Sequence, residues 1–273
     1  MQNQIILSTG SCHKYGLYRF FEVAKKVGFK DIELIIDESF DSQEPDYIIS
    51  LERKFKLKVV AVHSAMEFVE NWSDWKTRLK NSTKLAKVIK AKFLIVHSWD
   101  HSDLNYTAWL IQNQKKVMNQ AKPVTVVFEN ATKRIDAKTG VSINPSYHFD
   151  VMKEFKSINL DTSHIGTAEM DPIEYFEKLK DKIKYIHFSD SDIRENPEKK
   201  GNIIDSHLVP GEGKLPLKKF LKKLKETKYS GPISIELWCD TFISLGSKKR
   251  ISEKLVLSKL IKAKRFIERY LSS

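Results

Sequence analysis

Two cysteines, Cys12 and Cys239, are all the thiols in 273 residues. That is too few for a disulfide framework, and neither has the close Cys spacing of a structural zinc site. Long apolar runs are missing as well. No stretch approaches the roughly 18 residues of a membrane-spanning helix. Met1-Gln2-Asn3-Gln4 leads into a strand-like run without the basic flank of a secretory signal. The expectation is a soluble, cytoplasmic protein with no membrane partner. Glycine and proline, ten and eight residues, form no linker, and no internal repeat or low-complexity block divides the chain, so residues 1–273 read as one domain. Arginine is scarce too: of 47 basic residues eight are arginine and the remaining 39 lysine. The net charge of +12 therefore sits mostly on lysines of helix exteriors, as in Leu217-Lys218-Lys219-Phe220-Leu221-Lys222-Lys223-Leu224. There the apolar residues recur at i, i+3, i+4 and i+7, and a solvated face explains the lysines better than a phosphate-binding track.

What the chain does have is alternation. Short β-type runs begin at Ile5 and near Asp31, Lys58, Lys92, Pro123, Ser157, Lys184 and Pro232. Amphipathic segments lie between or after them, over 17–28 with Gly28 as a stop, and near 46–56, 73–91, 105–121, 145–155, 172–182, 214–228 and 251–271. Eight such units predict an α/β fold, a single-domain (β/α)8 TIM barrel. The polar stretch from Ser191 to Ser206 is the longest irregular one and a candidate lid.

The apolar runs stop on polar ligand types. Val59-Val60-Ala61-Val62 ends in His63, Phe93-Leu94-Ile95-Val96 in His97, Thr125-Val126-Val127-Phe128 in Glu129, Ile158-Asn159-Leu160 in Asp161, Tyr185-Ile186 in His187 and Ile233-Ser234-Ile235 in Glu236; His164 and His207 follow in loops. Side chains two apart share a strand face, which groups Glu129 with Val127, His97 with Ile95 and Trp99, and Glu236 with Ser234 and Trp238. In a barrel that face is the interior, and chemistry gathers where strands end. One such residue is commonly structural, but many on one barrel face are not independent accidents.

Phe128-Glu129-Asn130, Asp161-Thr162-Ser163-His164, Ile186-His187-Phe188-Ser189-Asp190, the run Asp205 to Gly213 and Ile235-Glu236 appear in an order that resembles the xylose-isomerase-like barrel superfamily, over nearly the whole length. That superfamily holds sugar and sugar-phosphate isomerases and epimerases together with abasic-site nucleases of the endonuclease IV type. In the first branch the resemblance implies one divalent cation held by Glu129, Asp161, His187 and Glu236, with the two glutamates as a proton-transfer pair. In the second it implies three zinc ions: one on His63, His97 and Glu129, a second on Glu129, Asp161, His187 and Glu236, and a third on His164, Asp205 and His207. Carboxylate-rich shells suit Mn²⁺, Mg²⁺ or Co²⁺, and added histidines favour Zn²⁺, so one to three ions per chain are expected.

The loops favour the first branch. The nuclease branch opens DNA with wedges after strands two and three, including an aromatic residue at the position that is Met66 here. Asp37 to Ser42 and Ser98 to Asp103 are acidic where a phosphate backbone would lie. Trp99 and Trp238 offer a wall for the apolar face of a sugar. The leading expectation is a metal-dependent isomerase or epimerase of a sugar or sugar phosphate, with Glu129 and Glu236 as acid and base. The alternatives are a phosphodiesterase acting on abasic DNA and a non-catalytic metal- or sugar-binding barrel. Asn130 and Asp190 read as supporting or capping residues and Glu33 as structural; His13, His101 and His148 carry no specific signal.

Overall fold

The structure, a computed structural model, describes residues 3–12, 15–65, 69–70, 72–100, 102–136, 138–239 and 252–272. Eight parallel strands close into a barrel in sequence order: β1 (Ile5–Ser8), β2 (Asp31–Ile35), β3 (Lys58–His63), β4 (Phe93–His97), β5 (Thr125–Glu129), β6 (Ile158–Asp161), β7 (Ile183–Phe188) and β8 (Ile233–Ile235). The helices outside are α1 (Leu17–Val27), α2 (Pro45–Phe55), α3 (Trp75–Val88), α4 (Tyr106–Ala121), α5 (Phe149–Met152), α6 (Thr162–Thr167), α7 (Pro172–Leu179), α8 (Leu217–Glu226) and α9 (Glu253–Ser272). None of the described helices is long and apolar enough to cross a membrane.

Local signals set the boundaries. Gly28 ends α1 in the left-handed region, at φ 81°, where its N–H reaches the carbonyls of Ala24 and Lys25. Asp74 starts α3 by accepting from the N–H groups of Lys76 and Thr77, so this helix begins two residues later than its apolar pattern. In α8, Leu217, Phe220, Leu221 and Leu224 are buried while Lys218, Lys219 and Lys222 face water, the solvated face expected of that lysine run. The helix expected over 145–155 is instead a 3-10 turn at Pro145–Tyr147 and the single turn α5. His148 intervenes in extended conformation and caps α5 through its ring, which breaks the run in two.

Two cores result. Between barrel and helices lie residues such as Leu7, Phe20, Ile32, Leu94, Phe128, Ile186 and Phe220. Inside the barrel, Ile6, Val60, Ala61, Ile95, Val127 and Tyr185 form a floor. Above that floor the inward positions turn polar. Two bulges tune this pattern: Val60 is an extra residue between the pairs Ile32↔Val59 and Glu33↔Ala61, and Lys184 is an extra one between Ile158↔Ile183 and Asn159↔Tyr185.

Candidate metal centre

Strand ends β3 to β8 deliver His63, His97, Glu129, Asp161, His187 and Glu236 to one end of the barrel, as the alternation predicted. Asp161 also caps α6: its Oδ1 accepts from the backbone N–H of His164 at 2.9 Å, which holds His164 over the same mouth. Asn130 ties the ends of β5 and β6 together, accepting from Asp161 N at 2.8 Å and donating to Asp161 O at 3.2 Å. His207 arrives from the long loop before α8 with a left-handed backbone, φ 38°, uncommon outside glycine. Its N–H donates to Ser163 Oγ, and its carbonyl accepts from Trp238 N.

The side chains form three overlapping donor groups, each with ligand atoms within 4.8 Å of one another: His63, His97 and Glu129; Glu129, Asp161, His187 and Glu236; and Asp161, His164 and His207. Asp205 adjoins the third, its Oδ2 lying 3.3 Å from His164 Nε2 and 3.2 Å from His207 Nε2. Glu129 links the first two: Oε2 is 2.9 Å from His63 Nε2, and Oε1 is 3.0 Å from His187 Nδ1. The same Nδ1 has Glu236 Oε2 at 2.8 Å and Asp161 Oδ2 at 3.5 Å.

The donors fit divalent cations on two counts. First, Asp161 Oδ2 is buried with no hydrogen-bond partner, an atom that would be costly there unless something positive meets it. Second, several imidazoles present one nitrogen to the carboxylates while the other is anchored outside. His63 Nδ1 donates to Ser64 O at 2.9 Å, and His164 Nδ1 to Asn130 O at 2.7 Å. His207 Nδ1 lies 3.2 Å from both Ser189 Oγ and Glu236 O. Such anchoring is how metal-ligating histidines are held. Three carboxylates with one imidazole suit Mg²⁺, Mn²⁺ or Co²⁺, whereas two imidazoles with one carboxylate suit Zn²⁺.

Without ions, protons balance the carboxylates. Burial pulls His187 down, but Glu33, Glu129 and Glu236 outweigh it and hold the ring well above its ordinary value. His207 likewise rises to about 9 because Asp205 and Asp161 overcome its burial, and His164 and His63 are raised by their carboxylate neighbours. His97 goes the other way, pushed by burial down to about 3. Glu129, Asp161 and Asp205 are lowered despite burial by the surrounding histidines. Histidines raised in the folded state contribute stability that is complete below about pH 6.5, their unfolded value, and lost as pH climbs through the folded one. The lowered carboxylates contribute above about pH 4 and lose it in acid; His97 opposes the other rings, contributing above about pH 6.5. The chelator-treated protein is therefore expected to melt highest between about pH 5 and 6.5 and progressively lower toward pH 9, a loss that added Zn²⁺ or Mn²⁺ suppresses because cations replace protons. Thermal denaturation across pH with and without chelator checks this; a flat metal-free profile would contradict it.

Around the centre, Trp238 stacks on the His207 ring, with centroids 5.2 Å apart and planes 22° apart. Trp99 is buried with the Arg134 guanidinium 5.1 Å above its ring, which brings an arginine to this mouth that the sequence did not place. The stretch 191–206 is a ribbon paired at Glu195↔Ile203 and tied to the loop after β5, where Asn202 accepts from Ile135 N and donates to Ile135 O. The acidic loops have local partners. Arg78 pairs with Asp100, Trp75 Nε1 donates to Asp103, and Asp41 accepts from Leu17 N. Asp100 is thus neutralised where the sequence suggested repulsion of a phosphate backbone. Met66, His13 and His101 lie outside the described residues.

Sequence reading missed how closely Glu33 approaches the centre. It is wholly buried in β2, and its Oε2 is 3.0 Å from His187 Nε2 and accepts from Tyr185 OH at 2.7 Å.

A family model described as a xylose isomerase-like TIM barrel matches residues 21–260. The chain belongs to that family. Among its relatives, an uncharacterized protein of Mycobacterium leprae is 22% identical over 253 residues, 85% of this chain and 87% of that one. Fructoselysine 3-epimerase of Escherichia coli O157:H7 is 34% identical over a shorter stretch of 71 residues, 26% of this chain and 22% of that enzyme. The crystal structure of a D-tagatose 3-epimerase-like protein shares the fold with a TM-score of 0.68 and 19% identity, covering 98% of both chains.

Proposed function

We propose that this xylose isomerase-like barrel is a divalent-metal-dependent isomerase or epimerase of a sugar or sugar phosphate. Glu129 and Glu236 exchange the proton, and Asp161 and His187 complete the ion's shell. The observation that carries the reading is the pair of carboxylates on His187 Nδ1, Glu129 Oε1 at 3.0 Å and Glu236 Oε2 at 2.8 Å, inside a four-residue donor group. A bound divalent cation would polarise a substrate carbonyl or hydroxyl and acidify the adjacent C–H. The chain supplies the rest. One glutamate takes the carbon-bound proton and the other returns one to the neighbouring carbon or the opposite face. The partly exposed Trp238 walls the substrate, and the exposed fork of Arg134 over Trp99 suits an anionic substituent. The neighbouring epimerase names agree with this class of chemistry.

The test is deuterium incorporation from D₂O into a panel of ketoses, aldoses and their phosphates. Exchange that needs Mn²⁺ or Co²⁺ and disappears in Glu236→Gln is expected; exchange retained in both Glu129→Gln and Glu236→Gln would sink the assignment. Hydrolysis of abasic DNA is a second reading, favoured by the two further donor groups flanking the first and by the pairing of Asp100 with Arg78. It requires close to three ions per chain and chelator-sensitive cleavage of duplex DNA bearing a tetrahydrofuran abasic analogue, lost in His207→Ala. One ion per chain and intact DNA would remove it.

A further inference from the structure

We propose that Glu33 is a positioning residue of the centre. Its carboxylate fixes the His187 ring so that Nδ1, and not Nε2, is the nitrogen offered to the ion, and its negative charge strengthens that nitrogen as a donor. The inference rests on reading Glu129, Asp161, His187 and Glu236 as a metal centre, and concerns what lies beneath it.

Glu33 reaches His187 across the barrel interior, from β2 to β7. Tyr185 and His187 sit two apart on β7 and point the same way, so both meet one oxygen: Tyr185 OH donates to Glu33 Oε2 at 2.7 Å, and His187 Nε2 is 3.0 Å from it. With a phenol on one side, that oxygen is held in place, and the ring proton has one acceptor to face. Once an ion displaces the proton on Nδ1, His187 would keep its hydrogen on Nε2 and offer the Nδ1 lone pair on the side of Glu129, Asp161 and Glu236.

Two comparisons within the site single Glu33 out. The outer nitrogens of His63 and His164 are anchored by neutral backbone carbonyls, and that of His207 by a hydroxyl and a carbonyl. Among these anchored rings His187 alone has its second nitrogen at hydrogen-bonding distance from a carboxylate, whereas His164 Nδ1 stands 3.6 Å from Glu129 Oε1. His187 is also the one imidazole of the four-residue group. Furthermore, a buried carboxylate is a costly way to accept two hydrogen bonds, since the amide oxygen of glutamine would accept both. Packing and hydrogen bonding require only the acceptor; the charge serves the cation above it, the protonated His187 ring in the metal-free protein and the ion once it is bound.

The experiment separates these roles with Glu33→Gln and Glu33→Ala, using MnCl₂ and ZnCl₂ as probes and chelator competition at fixed pH to read affinity. Long-range ¹⁵N–¹H NMR of the histidines reads the His187 tautomer. Wild type is expected to bind with His187 protonated on Nε2. Glu33→Gln should keep that tautomer in the metal-loaded protein yet bind about tenfold more weakly, and Glu33→Ala should lose the tautomer preference and up to about 100-fold in affinity. Where Glu33→Ala does not fold, Tyr185→Phe, which removes one donor from the same oxygen, replaces it with a smaller expected loss. Equal affinity in wild type and Glu33→Gln overturns the role of the charge while leaving the metal centre standing. A wild type that binds neither ion overturns the metal centre, and this inference falls with it.

Discussion

Glu129→Gln is expected to reduce metal-dependent proton exchange by about 10²- to 10⁴-fold, the range spanned by loss of a positioned acid or base. It should also change ion occupancy in two places at once. Glu129 uses its two oxygens separately, Oε2 toward His63 and Oε1 toward His187, so the amide must turn an NH₂ toward one ring or the other. Whichever way it turns, a donor nitrogen replaces an oxygen inside one of two groups that share this residue. Glu236→Gln makes the informative control, because Glu236 belongs to the four-residue group and not to the group of His63 and His97. Elemental analysis of both variants beside D₂O exchange reads the difference. Matching metal content in Glu129→Gln and wild type would show that Glu129 binds no ion, and unchanged exchange would remove it from catalysis.

The largest expected effect on stability lies in Asp190, which does no chemistry. Its carboxylate is buried and collects backbone donors from its own neighbour and from the loop that follows the ribbon: Ser191 N and Leu215 N on Oδ1, Gly211 N on Oδ2. Its own backbone exchanges two 2.8 Å hydrogen bonds with Leu208. Gly213 packs so close that a Cβ there would lie 2.4 Å from Asp190 Oδ1 and 2.5 Å from Ser191 O, which accounts for the second glycine of Pro210-Gly211-Glu212-Gly213. Asp190→Ala leaves several buried N–H groups without acceptors and is expected to cost about 3 to 5 kcal/mol. For a chain of this size that lowers the melting temperature by on the order of 10 °C. Asp190→Asn, keeping one oxygen, should cost less. Calorimetry decides, and a shift below 2 °C or so in Asp190→Ala would mean that water replaces the lost acceptor.

The barrel and most of its centre were legible in the sequence because both are written in strand endings. A histidine or acid closing an apolar run, with small or aliphatic residues two positions before it, places itself: His97 after Ile95 and Glu129 after Val127 both line the interior. Asp161-Thr162-Ser163-His164 was legible only through the family resemblance; His164, read as a loop residue, stands in α6, and the Asp161 cap brings it to the acid's side. What was not legible depended on partners distant in sequence. Glu33 looks like any inward residue until His187, 154 positions away, is set beside it. Asp100 counts as a repelling charge until Arg78 is found against it. Arg134 lies in irregular chain, where no periodicity tells which way a side chain turns, and only the fold lays it on Trp99. The segment 145–155 has helical composition, but His148 adopts extended backbone and breaks it.

The bulge at Val60 makes reading frame, in a geometric sense, the quantity on which the centre depends. Below it Val59 pairs with outward Ile32; above it Ala61 pairs with inward Glu33, and His63 follows two residues later on the inner face. Deleting Val60 would remove the bulge and make Ile32↔Val59 and Glu33↔Ala61 consecutive pairs, so His63 would keep the inner face, whereas a residue inserted between Ala61 and His63 would turn His63 out among the helices with no substitution at any ligand position. The same holds at Lys184 for Tyr185 and His187. Each bulge thus absorbs a one-residue difference in strand length below the ligands, so the lower barrel can gain or lose a residue there while the donors at the mouth stay in frame.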